Sequence, residues 1–563
     1  MRNIDTRFSR SPQTVDISRS TFEQKWSHLT TMNAGKLYPI ACQEVLPGDT
    51  FNLDTSVLAR MSTPIFPVAD DAYIDTYHFF VPNRLVWEHW KNLLGENDES
   101  PWTNETEYSV PQLTISKDDF ENSNADYFGI GNAFYILDAS TGERVENPYA
   151  GDSIKVNALP FRALALIWNE WFRDQNISAP KGFNKGDDGS IDDTQDLLSL
   201  YSVAKYHDYF TSVLPAPQKG SPVSIPLLGD APVLTGSNHT FDSNVEPLRW
   251  YNYGTNKPLD TINIQIGTVA THNDYTYGTF GSEDSNDPFM SDINLVPANL
   301  HASLSSVSGA TVNQLRQAFQ VQKMLERDAR GGTRYIEYIR NAFGVISPDA
   351  RMQRPEYLGG RRCVIDMTQV VQSSATVDGV SPQGNTAAYS LTRSVGNDFV
   401  KSFTEHGFVI TVACIRTHQS YQQGINRIWS RKNRYDYYDP LFANLGEQAV
   451  LNKEIFATGN YLDDEVFGYQ EAWAEYRYTP SIVSGAFRTT YSGGSLDSWH
   501  YASHFNELPV LSEGFIYETD ANIERTLAVA TELAPQFIVA VSFKNIASRK
   551  MPLYSVPGLI DHH

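Results

Sequence analysis

The stretch "GFVITVACIR", residues 407–416, is an apolar run too short to be a buried helix and alternating too regularly to be a loop. In an extended chain successive side chains point to opposite sides, so Phe408, Ile410, Val412 and Cys414 share one face and Val409, Ala413 and Ile415 the other. Both faces are apolar, which predicts a strand covered on both sides. Similar alternation runs through "DAYIDTYHFFVP" (71–82), with Tyr73, Tyr77, Phe79 and Val81, and through "QFIVAVSF" (536–543), with Phe537, Val539, Val541 and Phe543.

Helical spacing is confined to a few places. In "NALPFRALALIWNEWFRDQN" (157–176), Phe161, Leu164, Ala165, Trp168 and Trp171 follow an early Pro160 and predict a helix. In "TVNQLRQAFQVQKMLERDARGG" (311–332), Thr311 and Gln314 predict a capping box, Leu315, Ala318, Phe319 and Leu325 an apolar stripe, and Gly331 or Gly332 the end. A shorter helix is expected in "NRLVWEHWKNLLG" (83–95). Strands joined by long excursions, with few helices and no strand–helix–strand rhythm, predict an antiparallel β-sandwich with large loops.

The 563 residues carry a formal net charge of −22, distributed unevenly. Residues 97–150 hold eleven Asp/Glu against two Lys/Arg, and residues 177–300 hold fifteen against six, so these stretches account for −18 and the rest is nearly neutral. Both read as exposed polar insertions on a framework. Residues 1–36, with six Lys/Arg and three Asp/Glu, read as a mobile or wrapping arm. No stretch approaches the roughly 18 apolar residues of a membrane helix, and the start "MRNIDTRFSR" lacks the apolar segment of a signal peptide, so a soluble chain is expected. Cys42, Cys363 and Cys414 are odd in number and far apart, which predicts buried free thiols in a reducing compartment.

Catalytic and metal patterns are weak. "SGGSLDSWHYASH" (492–504) brings Ser495, Asp497, His500 and His504 close in sequence, without a nucleophile elbow or a zinc-protease acid, and is expected to be a turn with packed histidines. "DDGSIDDTQD" (187–196) has the alternating acids of a calcium loop without its central glycine or closing glutamate. "GIGNAF" (129–134) does not complete a dinucleotide fingerprint. No enzyme, cofactor or metal is expected.

Two basic segments carry more. "RIWSRKNRYDYYDP" (427–440) interleaves Arg427, Arg431, Lys432 and Arg434 with Trp429, Tyr435, Tyr437 and Tyr438. That mixture suits phosphate neutralisation and base stacking on single-stranded nucleic acid, and equally a protein interface, where Arg, Tyr and Trp are the commonest anchors. "SPDARMQRPEYLGG" (347–360) sets Arg351 and Arg354 among two prolines and two adjacent glycines, with Arg361 and Arg362 following. A rigid loop with forked donors is suited to a neighbour's carboxylates or to DNA phosphates, and is also compatible with turn punctuation inside one subunit.

The segments "EVLPGDTF" (44–51), "YHFFVPNRLVWEHW" (77–90), "NALPFRALALIWNEWFRDQN" (157–176), "GVISPDARMQRPEYLGG" (344–360), "YQQGINRIWSRKNRYDYYDPLFANLGEQ" (421–448), "VFGYQEAWAEYRY" (466–478) and "VPGLIDH" (556–562) closely resemble the major capsid proteins of gokushoviruses, single-stranded DNA phages of the Microviridae. The resemblance implies an all-β, eight-stranded viral jelly roll, two four-stranded antiparallel sheets with long loop insertions and a few helices, assembling with itself into a T=1 icosahedral shell around circular single-stranded DNA. Taken with the charge distribution, it gives an arm over 1–36 and a jelly-roll domain over 37–563, whose acidic insertion is expected at about 97–150 and whose surface protrusion is expected at about 218–300. As partners it implies other virion proteins, a small basic DNA-binding protein and a bacterial surface receptor, without membrane insertion. The locations implied are the virion and, during assembly, the host cytoplasm. The residues alone also admit an all-β carbohydrate-binding or carbohydrate-active protein, given the Trp, Tyr and carboxylate content, although no repeat or paired-acid motif supports it.

Overall fold

Eight long strands build the framework in a computed structural model of the chain. We number them β1 (Ser20–Met32), β2 (Lys36–Val45), β3 (Thr50–Met61), β4 (Ala72–Pro82), β5 (Glu356–Val364), β6 (Thr392–Ser402), β7 (Gly407–Thr417) and β8 (Phe537–Arg549). The structure describes residues 17–96, 108–138, 140–188, 194–223, 311–371, 373 and 386–554, with short strand segments between 233 and 302.

One sheet has the order β1-β8-β3-β6 and the other β5-β4-β7-β2, the latter extended beside β2 by Tyr201–Ser202; every pairing is antiparallel. Apart from the step from β4 to β5, consecutive strands alternate between the sheets, which is the jelly-roll winding. The sheets face each other across a core that includes Phe51, Leu53 and Val57 of β3, Val539, Val541 and Phe543 of β8, Ile74 and Phe80 of β4, and Val409 and Ala413 of β7.

The β7 run is buried on both sides for a specific reason. Its other face, with Phe408, Ile410, Val412 and Cys414, packs under a layer formed by the excursion after β4. That layer holds helix α1 (Leu159–Ile167), which continues as a π-turn through Trp168–Phe172, and the paired segments Gln112–Ser116 and Ser153–Asn157. Phe161, Leu164, Trp168, Leu113, Ile115, Phe120 and Phe134 fill it. The acidic stretch 97–150 is therefore not only solvated loop, as the charge count suggested: Leu113, Ile115, Phe120, Ala125 and Phe134 fold inward, while none of its carboxylates among the described residues is buried. Residues 97–107 lie outside the described residues.

The arm expected over residues 1–36 is also different from Ser20 onward. There β1 is an edge strand in unbroken register with β8, from Ser20 opposite Arg549 to Met32 opposite Phe537. Phe22, Trp26 and His28 turn toward the core side and Glu23, Lys25 and Leu29 toward solvent, so the strand reads as weakly patterned because only one face is covered. Trp26 stacks on Phe543 with centroids 4.9 Å apart. Residues 1–16 lie outside the described residues.

Of the three free cysteines only Cys414 is buried; Cys363 is intermediate and Cys42 exposed. Cys42 and Glu44 take the outward alternating positions near the end of β2, so the expectation of three buried thiols fails by strand parity.

The chain divides into two compact units, residues 1–219 with 326–563, and residues 220–325. Within the second, Trp250–Asn252 pairs with both Lys257–Leu259 and Leu295–Pro297, and Val233–Thr235 pairs with Leu300–Ala302. Helix α2 (Val312–Gly331) begins with the expected capping box, in which the Thr311 N–H donates to Gln314 Oε1 (2.8 Å) and the Gln314 N–H to Thr311 Oγ1 (3.2 Å). Helix α3 (Tyr335–Phe343) follows and ends at Gly344, whose φ of 68° is the left-handed conformation that a glycine C-terminus supplies.

Candidate subunit and genome contacts

The basic stretch after α3 turns its donors mostly inward. Arg354 lies over the Trp171 ring at 4.1 Å, with its Nε 3.4 Å from Asp349 Oδ1, and is 8% exposed. Arg361 donates to Asp398 Oδ1 (2.7 Å) and Ser394 Oγ (3.2 Å) on β6. Arg362 donates to Asp75 Oδ1 (2.9 Å) and covers the Tyr206 ring at 4.1 Å. Arg351 alone is exposed with no ion pair among the described residues. Three of the four donors expected to face a neighbour or DNA are thus engaged within the subunit.

The paired glycines have a packing reason. β5 bulges between Tyr357 and Gly359 as it runs along β4. A Cβ on Gly359 would stand 2.5 Å from the Asp398 carbonyl oxygen, and one on Gly360 2.4 Å from that of Thr76. Both contacts are to backbone, so only glycine fits where β5 runs close against β4 and β6.

Across β5, β4 and β7 lies a buried charge cluster. Asp75, 1% exposed, accepts from Arg362, Arg416, the Tyr206 hydroxyl (2.7 Å) and the Tyr77 hydroxyl (3.1 Å). Burial pushes the Asp75 carboxyl up, but Arg416, Arg362 and Tyr206 outweigh it and hold the group below the usual carboxylate range. Asp398 behaves alike: burial raises it, and His78, Thr55 and Arg361 bring it below its ordinary value. His78 itself donates or accepts at Thr411 Oγ1 (2.9 Å) and stands 3.4 Å from Asp398.

The second basic segment forms a lobe of three short 3-10 turns, Arg427–Trp429, Arg434–Asp436 and Pro440–Phe442. Its side chains build the turns themselves. Asn426 accepts from the Ile428 N–H (3.0 Å), Asp436 from those of Lys432 and Asn433 (both 2.7 Å), and Asp439 from that of Leu441 (2.9 Å).

The cations divide into two pairs. Arg427 donates to Glu454 Oε1 (2.6 Å), and Arg431 to Glu475 Oε1 (3.2 Å) while lying 4.5 Å over the Tyr476 ring. Both carboxylates are almost fully buried, so these arginines anchor the lobe. Lys432 and Arg434 are exposed and have no ion pair among the described residues. Around them Trp429 is 78% and Tyr435 73% exposed, joined by Ile428 and by Leu441, an apolar contribution that residue spacing did not single out.

The catalytic pattern does not assemble. Ser495 donates to the Arg488 carbonyl (2.8 Å), while His500 Nε2 meets the Phe487 carbonyl (2.7 Å) and its Nδ1 accepts from the Ala502 N–H (3.0 Å). With both ring nitrogens occupied, His500 is a packed histidine. Among the described residues no group of three His, Cys, Asp or Glu is placed to hold a metal ion, and no helix is long and apolar enough to cross a membrane. Asp187, the first acid of the calcium-like loop, accepts from Trp87 Nε1 (2.7 Å) and His89 Nδ1 (2.8 Å); residues 189–193 lie outside the described residues.

The jelly roll carries an exposed lobe with Trp429 and Tyr435 in solvent, and comparison with known proteins says what the chain is. The family model described as "Capsid protein (F protein)" matches residues 11–559. The chain belongs to this capsid protein family. It is 41% identical to capsid protein VP1 of Bdellovibrio phage phiMH2K, over 98% of this chain and 97% of that one. It is 39% identical to capsid protein VP1 of Spiroplasma virus 4, over 96% of each. Capsid protein VP1 of Chlamydia phage 1 is 38% identical, over 99% of this chain and 98% of the other. The chain is a major capsid protein of a Microviridae phage, a structural component of the virion that assembles with itself.

Proposed function

We propose that copies of this capsid protein close into a T=1 icosahedral shell around a circular single-stranded DNA genome, as the gokushovirus resemblance implies. The observation that carries the reading is the 427–445 lobe on the jelly-roll framework: a pinned base, and an outer surface with Trp429, Tyr435 and Leu441 in solvent. We assign this lobe to a neighbouring subunit rather than to DNA. Only Lys432 and Arg434 remain for phosphates, whereas the exposed aromatics match the anchors of a protein interface.

The acidic total supports a division of labour in which a small basic protein and counterions offset the genome's charge, while acidic loops face outward. To residues 218–300, which carry nine Asp/Glu and three Lys/Arg and lie mostly outside the described residues, we assign the outward projection that meets the bacterial receptor. Assembly takes place in the host cytoplasm, and the chain does no catalysis.

The test is the content of particles carrying Lys432→Gln with Arg434→Gln, against particles carrying Trp429→Ala. The double variant should keep its DNA, and Trp429→Ala should lower particle yield without unfolding the subunit. Loss of DNA from the double variant, with normal yield for Trp429→Ala, would reassign the lobe to the genome.

A further inference from the structure

A second surface, outside the 427–445 lobe, is built to be covered. Between Arg334 and Arg354 the chain leaves the framework as α3, turns at Gly344 and returns through the basic stretch. Both feet stand on the same π-turn region. Arg334 Nη2 donates to the carbonyls of Asn169 (2.7 Å) and Arg173 (3.2 Å), Arg354 lies over Trp171, and Trp171 Nε1 donates to the Pro355 carbonyl (3.1 Å). The projection is also braced inside, by the Arg334–Glu337 ion pair (3.1 Å) and by Asn341, whose Nδ2 donates to the Gly331 carbonyl.

What this rigid projection presents is apolar. Tyr335 is 68%, Phe343 70% and Ile346 79% exposed, with Val345 at 52% and Tyr338 at 37% between them. At about 200 Å² for a large aromatic side chain, these five leave roughly 600 Å² open, near the largest patch a monomer tolerates and most of the ~800 Å² that one partner contributes to a stable interface. Arg340 on α3 and Arg351 in the returning stretch are exposed and without an ion pair among the described residues.

We infer that residues 335–346 dock on a second copy of this chain. The inference rests on the reading that copies close into a shell. It goes beyond that reading by naming the surface and its chemistry: an aromatic–aliphatic ridge seated in an apolar site, with Arg340 and Arg351 paired to a neighbour's carboxylates at the rim. Five large apolar residues against two cations without an ion pair, with Arg327 over the Tyr338 ring already paired to Asp328, fit a protein surface better than a phosphate backbone. Firm anchoring at both feet means little ordering entropy is lost on docking.

The experiment compares wild type with Phe343→Glu/Ile346→Glu, expressed with the same partner proteins and genome. Particle yield should fall at least about tenfold, as expected for an interface anchor, while the unassembled subunit melts as wild type does. Equal yields would overturn the inference and leave the shell reading intact; absence of particles from wild type would instead sink the shell reading. Hydrogen exchange over 335–346 provides a second arm that needs no variant. Protection in empty shells relative to dissociated subunits is expected, and protection only in genome-filled particles would assign the ridge to DNA and overturn the inference.

Discussion

Asp75 shows how single residues hold the two layers of this molecule together. Its carboxylate joins Arg362 on β5, Arg416 on β7 and Tyr206 from the covering layer. Breaking one side of a buried ion pair strands the other, so Asp75→Asn should destabilise the subunit by about 3 kcal/mol, read from denaturant midpoints. Because the folded carboxyl titrates below its unfolded value, its contribution is present above the unfolded value of about 4 and is lost as pH falls through that range toward the depressed folded value. Wild type should therefore lose stability on acidification more steeply than Asp75→Asn, and parallel slopes would contradict the pairing. Gly360→Ala makes a steric version of the test: its Cβ would meet the Thr76 carbonyl oxygen at 2.4 Å, costing about 1–3 kcal/mol.

At the scale of elements, burial follows what covers each strand. Ile410 on β7 is fully buried beneath the α1 layer, so Ile410→Ala should cost about 2–5 kcal/mol, whereas Ile538→Thr, on the solvent face of β8 at 50% exposure, should change stability by less than about 0.5 kcal/mol. Thermal melts of both variants check the contrast. The alternation in 71–82, 407–416 and 536–543 made these strands legible from the residues, as did the spacing in α1 and the Thr311–Gln314 cap. The pairing of β1 with β8 was not legible, because nothing local in a polar edge strand indicates a partner some 500 residues away. The partners of the arginines were hidden for a similar reason. Arg354, Arg361 and Arg362 look like free donors in a linear reading, and whether they are spent depends on Asp349, Asp398 and Asp75, two of which belong to other strands. The acids of 97–150 concealed Leu113, Ile115, Phe120 and Phe134 by outnumbering them.

For the whole molecule, residues 220–325 group as a unit of their own, which gives the proposed projection a physical test. Closing a loop costs only about 0.6 kcal/mol more for each doubling of its length, so replacing 218–300 with a short Gly/Ser bridge should spare the jelly roll. Particles should form and host adsorption should fail; normal adsorption would remove the attachment role, and failure to assemble would make the segment part of the framework. The claim on which the rest depends is that copies of this chain build a closed shell with the jelly roll as its wall. Electron microscopy of the protein purified with its partner proteins and genome tests it most directly. Uniform closed particles of icosahedral outline are expected, and a soluble monomer or small oligomer under those conditions would contradict it.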